Sequence, residues 1–310
     1  MYTVSSGVIS ILKTQLSILI IMALAFIITR AGLFSSKARV DLTNVIIYLI
    51  LPCNIFASFH KGITPETLRQ CAIVLIAAFA LQIFYMILNR LLYNKFPLGQ
   101  RTVVQYATMV NNAGFMGLPV IESVFGDVGL LYGAIVLIPI RVFMWTSGLS
   151  LFTKTDKKQS FKTVATHPCI WAVILGFAYA LSSFELPEVL SGTIVMIGNC
   201  TMVLTMFIIG SILSEVKPRE MLDLRCLYYS FIRLIAIPAI TFGALTLLRV
   251  DPLTSGVVTL SASMPAATTT AMLAEKYGKD SAFASKLVFI STILSMVTLP
   301  IIAGFLTGAL

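Results

Sequence analysis

Apolar runs of about 20 residues, the length a helix needs to cross a bilayer, follow one another through all 310 residues with only short polar links between them. In hydrocarbon every backbone N–H and C=O needs an internal partner, so such a chain folds as a bundle of membrane-spanning helices. Only 11% of the residues are charged and 58% are hydrophobic, with a mean hydropathy of +0.95. A soluble domain would carry about 25% charged residues. The fold class expected is therefore an all-α integral membrane protein. The formal net charge of +9 follows the sidedness of the membrane rather than the footprint of a nucleic-acid partner. The first apolar run is long and lacks a basic segment and cleavage site ahead of it, so it reads as a retained span rather than a signal peptide.

Ten spans are expected, at about residues 7–29, 42–59, 70–92, 103–125, 127–152, 168–183, 189–213, 224–248, 253–274 and 282–306. Pro52 is expected to kink the second. Basic residues alternate between the links. Arg30, Lys37 and Arg39 fall in the first, and Arg90, Lys95 and Arg101 in the third. Lys154, Lys157, Lys158 and Lys162 fall in the fifth, Lys217, Arg219 and Arg225 in the seventh, and Lys276, Lys279 and Lys286 in the ninth. The even links hold only Lys61, Arg69 and Arg249. By the positive-inside rule the odd links are cytoplasmic and both termini lie outside. The polar linker 154–162 divides the chain into halves, 1–153 and 163–310. Five spans per half make the halves enter the membrane in opposite senses, the condition for an inverted repeat. Phe125-Gly126-Asp127 closes the fourth span much as Tyr277-Gly278-Lys279-Asp280 closes the ninth.

Two spans carry residues that a continuous helix disfavours. The fourth contains Thr108 to Pro119, with Asn111, Asn112, Gly114, Gly117 and Pro119, and the ninth contains Ser261 to Thr270, with Pro265, Thr268, Thr269 and Thr270. Gly weakens a helix, and Pro removes a donor and clashes with the preceding turn. Paired interruptions in corresponding places of two halves point to a transporter's binding site. If both spans break, two half-helices begin inside the bundle, and each presents free N–H groups with a partial positive charge suited to an anion. Asn111 and Asn112 add amide donors, Thr268 to Thr270 add hydroxyls, and Gly114 and Gly117 allow a ligand or a crossing helix close to the backbone. Pro119 and Pro265 would hold the breaks open. The competing reading is packing alone, since Gly and small-residue patterns are common in membrane helices.

Charges inside spans sharpen the anion reading. Arg141 falls near the middle of the fifth span; it either faces the cavity and pairs with a carboxylate, or snorkels toward the cytoplasm or caps helix carbonyls. Arg233 lies nearer the cytoplasmic end of the eighth span, where snorkelling is the expectation, and Lys13 is expected to snorkel outward. The 13 Asp and Glu fall in links or at span ends, so no carboxylate is expected mid-membrane to carry a proton or hold sodium. Backbone carbonyls at the breaks remain as cation ligands. His60 and His167 sit at span ends without metal-ligand spacing, and the five cysteines (Cys53, Cys71, Cys169, Cys200, Cys226) form no Cys-x-x-Cys pair. No cofactor, metal or catalytic constellation is expected.

The stretch from Asn111 to Pro119 followed by Phe125-Gly126 resembles the fourth-span signature of the auxin efflux carrier family. Leu51-Pro52, the run from Met264 to Thr270, Ala274 to Gly278, Ser291 to Ser295 and Leu299-Pro300 resemble other motifs of that family, over nearly the whole chain. The short linker is similar to that of bacterial members. The resemblance implies the fold of bile acid sodium symporters. Spans four and nine would then cross at the substrate. Spans one, two, six and seven would form a scaffold, often dimeric, while spans three to five and eight to ten would move like an elevator. It also implies malate- or malonate-like substrates. Val203 stands where many relatives have Pro, and Thr269 where many have Asn. The reading is a carrier of small organic anions, mono- or dicarboxylates, in the cell membrane. A sodium-coupled carrier of a larger amphipathic anion and an anion channel are the alternatives.

Overall fold

The computed structural model describes residues 16–17, 20–57, 59, 64–153, 162, 165–166, 168–182, 185–214 and 223–309. The start of the first span with Lys13, both histidines and most of the 154–162 linker lie outside the described residues. The described residues are helical throughout apart from links and two short extended stretches. The helices are α1 (Ile20–Arg30), α2 (Ser36–Ala57), α3 (Pro65–Leu92), α4 (Leu98–Met109), α5 (Ala113–Gly148), α6 (Pro168–Leu181), α7 (Glu188–Leu213), α8 (Leu224–Leu247), α9 (Pro252–Ala262), α10 (Thr269–Lys276) and α11 (Ser281–Ala309). Six of them, α2, α3, α5, α7, α8 and α11, are long and apolar enough to cross a membrane, and α1 and α6 are shorter apolar helices.

α3 and α9 start where a polar acceptor precedes proline. The Thr64 hydroxyl accepts from Thr67 N ahead of Pro65, and the Asp251 carboxylate accepts from Thr254 N ahead of Pro252, which satisfies a first-turn N–H that would otherwise lack a partner. Pro52, Pro119 and Pro238 each follow a turn wound as π-helix: Ile46–Ile50, Ala113–Gly117 and Ile232–Ala236. In each case the residue before the proline donates to a carbonyl five residues back, Leu51 to Ile46, Leu118 to Ala113 and Ile237 to Ile232. A proline ring crowds the carbonyl four residues earlier and offers it no donor, and the wider turn moves that carbonyl aside. At Pro52, where a kink was expected, the preceding turn is widened in this way.

Gly126 breaks α5 with φ 65° and ψ −160°, and Gly278 separates α10 from α11 at φ 60°. The two corners expected to match thus share a left-handed glycine. A side chain is strained there, so Gly126→Ala is expected to cost about 2 kcal/mol, read as a lower melting temperature with unchanged substrate affinity.

The helices pack in two groups. α2 lies against α6 and α7; α3, α4 and α5 pack with α8 to α11, chiefly through α5 on α3 and α9 and through α11 on α8 and α10. Close approach in the first group uses glycine, with Gly198 against the backbone of Asn54 and Gly210 against that of Met22. Polar side chains also tie links together selectively. Arg39 Nη1 donates to Ser211 (3.4 Å), Gln100 Nε2 to Asp280 (3.0 Å) and Arg225 Nη1 to Gln100 (2.8 Å). Thr254 Oγ1 donates to Gln70 (3.2 Å) and Asn54 Nδ2 to Glu122 (3.3 Å). The first set joins ends at odd-numbered links, the second ends at even-numbered ones.

Candidate anion site at the two interrupted helices

α4 stops at Met109, and Val110 turns to extended backbone (φ −122°, ψ 100°). α9 stops at Ala262, and the chain stays non-helical until Thr269. The two interruptions meet: Asn111 and Ala266 form an antiparallel bridge. Asn112 N donates to Pro265 O at 2.8 Å and Ala267 N to Val110 O at 3.4 Å. Backbone groups that no helix satisfies thus satisfy one another inside protein, as a membrane interior requires. Ser291 Oγ of α11 supports the bridge by accepting from Ala266 N at 3.2 Å.

Beyond the bridge each chain begins a helix. Asn112 O accepts from Met116 N and Gly117 N, while the N–H groups of Ala113, Gly114 and Phe115 meet no acceptor among the described residues. Thr270 N and Ala271 N bond back to Ala267 O and Thr268 O, leaving the N–H groups of Thr268 and Thr269 open. Two helix N-termini therefore flank the bridge with unspent donors.

The candidate side chains divide by what they touch. Asn111 Nδ2 donates to Ser261 O at 2.6 Å and so caps the end of α9, leaving its Oδ1 buried without a partner. Asn112 is 5% exposed, and its amide makes no hydrogen bond among the described residues. Thr269 Oγ1 accepts from Tyr106 Oη at 3.3 Å; Thr270 is fully buried with its hydroxyl unpartnered, and Thr268 is half-buried. A Cβ on Gly117 would stand 3.2 Å from Met264 Cγ, and one on Gly114 3.2 Å from Arg141 Nη2. The first glycine admits the other interrupted segment and the second admits a guanidinium. Pro265 lies in the bridge, whereas Pro119 sits past it, at the start of the regular helix that follows the π-turn.

Arg141 is half-buried. Nη1 reaches Met144 Sδ at 3.5 Å, Nε is buried without a partner, and Nη2 lies over Gly114. It carries no carboxylate partner among the described residues. Arg233 differs from the snorkelling expectation: it is 0% exposed. Its Nε donates to Met264 O and its Nη1 to Thr108 O, both at 3.0 Å, and its guanidinium carbon lies 4.9 Å from the centre of the Tyr85 ring. The sequence signal was its place four residues after Tyr229, whose hydroxyl donates to Ala107 O at 2.8 Å. One face of α8 thus meets the end of α4, and a side chain pointing along that face cannot reach the surface. Tyr106 was not foreseen either, nor were the roles of Ser261 and Ser291, which lie in the stretches singled out, because their partners come from other elements. A cavity of about 490 Å³ between α8 and α11, lined by Leu234, Pro238, Phe242, Ile301 and Phe305 among others, contains none of the candidate residues. Its apolar lining suits a hydrocarbon chain rather than a carboxylate.

Helices interrupted inside apolar spans, with backbone donors turned inward, are the construction of membrane transporters. The chain belongs to the family described as "Membrane transport protein", whose pattern matches residues 10–167 and 158–303, in agreement with the resemblance to auxin efflux carriers; it is a transporter and not an enzyme. An "Uncharacterized transporter" of Methanothermobacter thermautotrophicus is 29% identical over 93% of this chain and 96% of its own. A second, from Methanocaldococcus jannaschii, is 25% identical over 92% and 95%. A "Putative malonate transporter" of Rhizobium meliloti is 24% identical over 83% of each chain.

Proposed function

We propose that the protein is a secondary carrier of small organic anions, mono- or dicarboxylates of the malonate kind, in the cell membrane. One observation carries the reading. The open N-terminus at Ala113, Gly114 and Phe115 has the Arg141 guanidinium against Gly114. A helix N-terminus carries about half a positive charge, and a second cation beside it is unfavourable until an anion lies between them. The carboxylate would take backbone donors from this turn, the Asn112 amide and Arg141, with Thr268 to Thr270 contributing from the other half. Asn111 and Pro265 shape the bridge behind it. The name of the Rhizobium relative supports the substrate class.

The same proposal takes the chain as ten spans in two inverted halves, α4 with the first arm of α5 making the fourth span and α9 with α10 the ninth. The antiparallel sense of the bridge and the separate gathering of odd and even links support it. The α1, α2, α6 and α7 group would be the scaffold of a homodimer, with the remaining helices moving as an elevator. Native mass spectrometry of the purified protein tests the dimer, with a monomeric mass counting against it.

The deciding experiment is counterflow in proteoliposomes. Vesicles are loaded with a mono- or dicarboxylate and given a labelled trace of the same compound. Saturable accumulation with one class is expected, as a channel would not give, and Asn112→Ala is expected to lower it about tenfold, the loss of one hydrogen bond to a charged group. No accumulation of any carboxylate by folded protein would overturn the reading.

A further inference from the structure

Arg233 is a full cation buried inside an apolar bundle with no carboxylate partner among the described residues. Such a charge is costly unless something offsets it. Its two hydrogen bonds go to Thr108 O, in the last turn of α4, and to Met264 O, in the non-helical segment two residues past the end of α9, and its Nη2 is buried with no partner among the described residues. The C-terminus of α4 carries about half a negative charge, and the Met264 carbonyl dipole adds to it, so the two together offset much of the guanidinium's charge. The face of the Tyr85 ring adds a further favourable contact.

These are also the carbonyls that a transporter with interrupted helices uses to hold an alkali cation. Here they are already engaged: Thr108 O and Met264 O by Arg233, Ala107 O by Tyr229 and Ser261 O by Asn111. We infer that Arg233 is a fixed countercation, standing at the junction of the two interrupted helices in place of a bound sodium or potassium ion, so that anion binding and transport need neither. Arg141 and Arg233 then have separate tasks. Arg141 serves the N-terminal side of the bridge, where the anion sits, and Arg233 positions the bridge by neutralising its C-terminal side. The transport part of this inference rests on the carrier reading above; the cation part does not.

The test uses the purified full chain in sodium, potassium and choline buffers of equal ionic strength. The melting temperature is expected to agree among the three within about 1 °C, since a ligand bound to the folded state would raise it, and counterflow to agree within about twofold. A rise of several degrees, or a stimulation of tenfold or more, with either metal ion would overturn the proposal. Arg233→Lys and Arg233→Gln are compared beside it, each first shown to be monodisperse. The lysine variant, which keeps the charge, is expected to retain at least about a tenth of the wild-type counterflow. The glutamine variant, which keeps only a donor, is expected to fall at least about tenfold below the lysine variant. Equal loss in both, or full activity with glutamine, would count against a countercation. Should the glutamine variant not fold, the wild-type buffer comparison still decides. If wild-type protein accumulates no carboxylate in any buffer, the carrier reading fails, while the melting measurement still reports on the cation.

Discussion

Replacing Arg141 with glutamine is expected to raise the half-saturating concentration of a carboxylate about 100-fold, while the melting temperature changes by no more than about 2 °C. The size follows from geometry. Truncating one member of a buried, hydrogen-bonded charge pair costs about 2–5 kcal/mol, and a hundredfold change corresponds to about 2.8 kcal/mol. Glutamine keeps much of the length and one donor group, so the loss isolates the charge and the forked geometry. The small thermal effect follows because, without substrate, the guanidinium has no carboxylate partner to lose among the described residues and Nε is already unpartnered there. Removing it relieves repulsion from the helix N-terminus at Gly114. Counterflow at graded substrate concentrations reads the first number and a melting curve the second. Unchanged half-saturation with folded protein would return Arg141 to the scaffold.

Gly117→Val is expected to abolish measurable counterflow and to destabilise the protein by about 2–3 kcal/mol. The Cβ alone would stand 3.2 Å from Met264 Cγ and 3.4 Å from Ala113 Cβ, and the two further methyl groups of valine have no room. The Met264 backbone cannot simply move away, because its carbonyl holds Arg233 and that of its neighbour Pro265 holds Asn112 N. Overpacking a close-packed site costs about 1–3 kcal/mol, and here the displaced segment carries the bridge. Gly117→Ala, which asks Met264 to yield by a few tenths of an ångström, is expected to keep measurable transport. A valine variant with wild-type counterflow would show that the two interrupted segments do not need to meet.

The membrane class was legible in the sequence because it depends on run length and charge alone, which tertiary contacts do not alter. The breaks were legible for a related reason. Asn111-Asn112 and Pro265 are poor helix residues inside apolar runs, and no lipid environment repairs that locally. The likeness of the corners at Gly126 and Gly278 was readable from their matching neighbours, though their left-handed conformation was not. Their φ values of 65° and 60° bear out that likeness.

What the sequence could not supply was partnership. Asn111 and Asn112 are adjacent amides of equal chemistry. Only the bridge decides that the side chain of the first spends its N–H on Ser261 O while the side-chain amide of the second has no hydrogen bond among the described residues. Arg141 and Arg233 are both arginines within apolar spans, and distance from the span end suggested snorkelling for Arg233. The packing of α8 against the end of α4 and the segment after α9 turns it inward instead, where the carbonyls of Thr108 and Met264 offset its charge. Local pattern fixes where a chain must break, since backbone chemistry is local. Which carbonyls the breaks expose to which cation depends on elements more than a hundred residues apart in the chain, and that was decided by the tertiary structure.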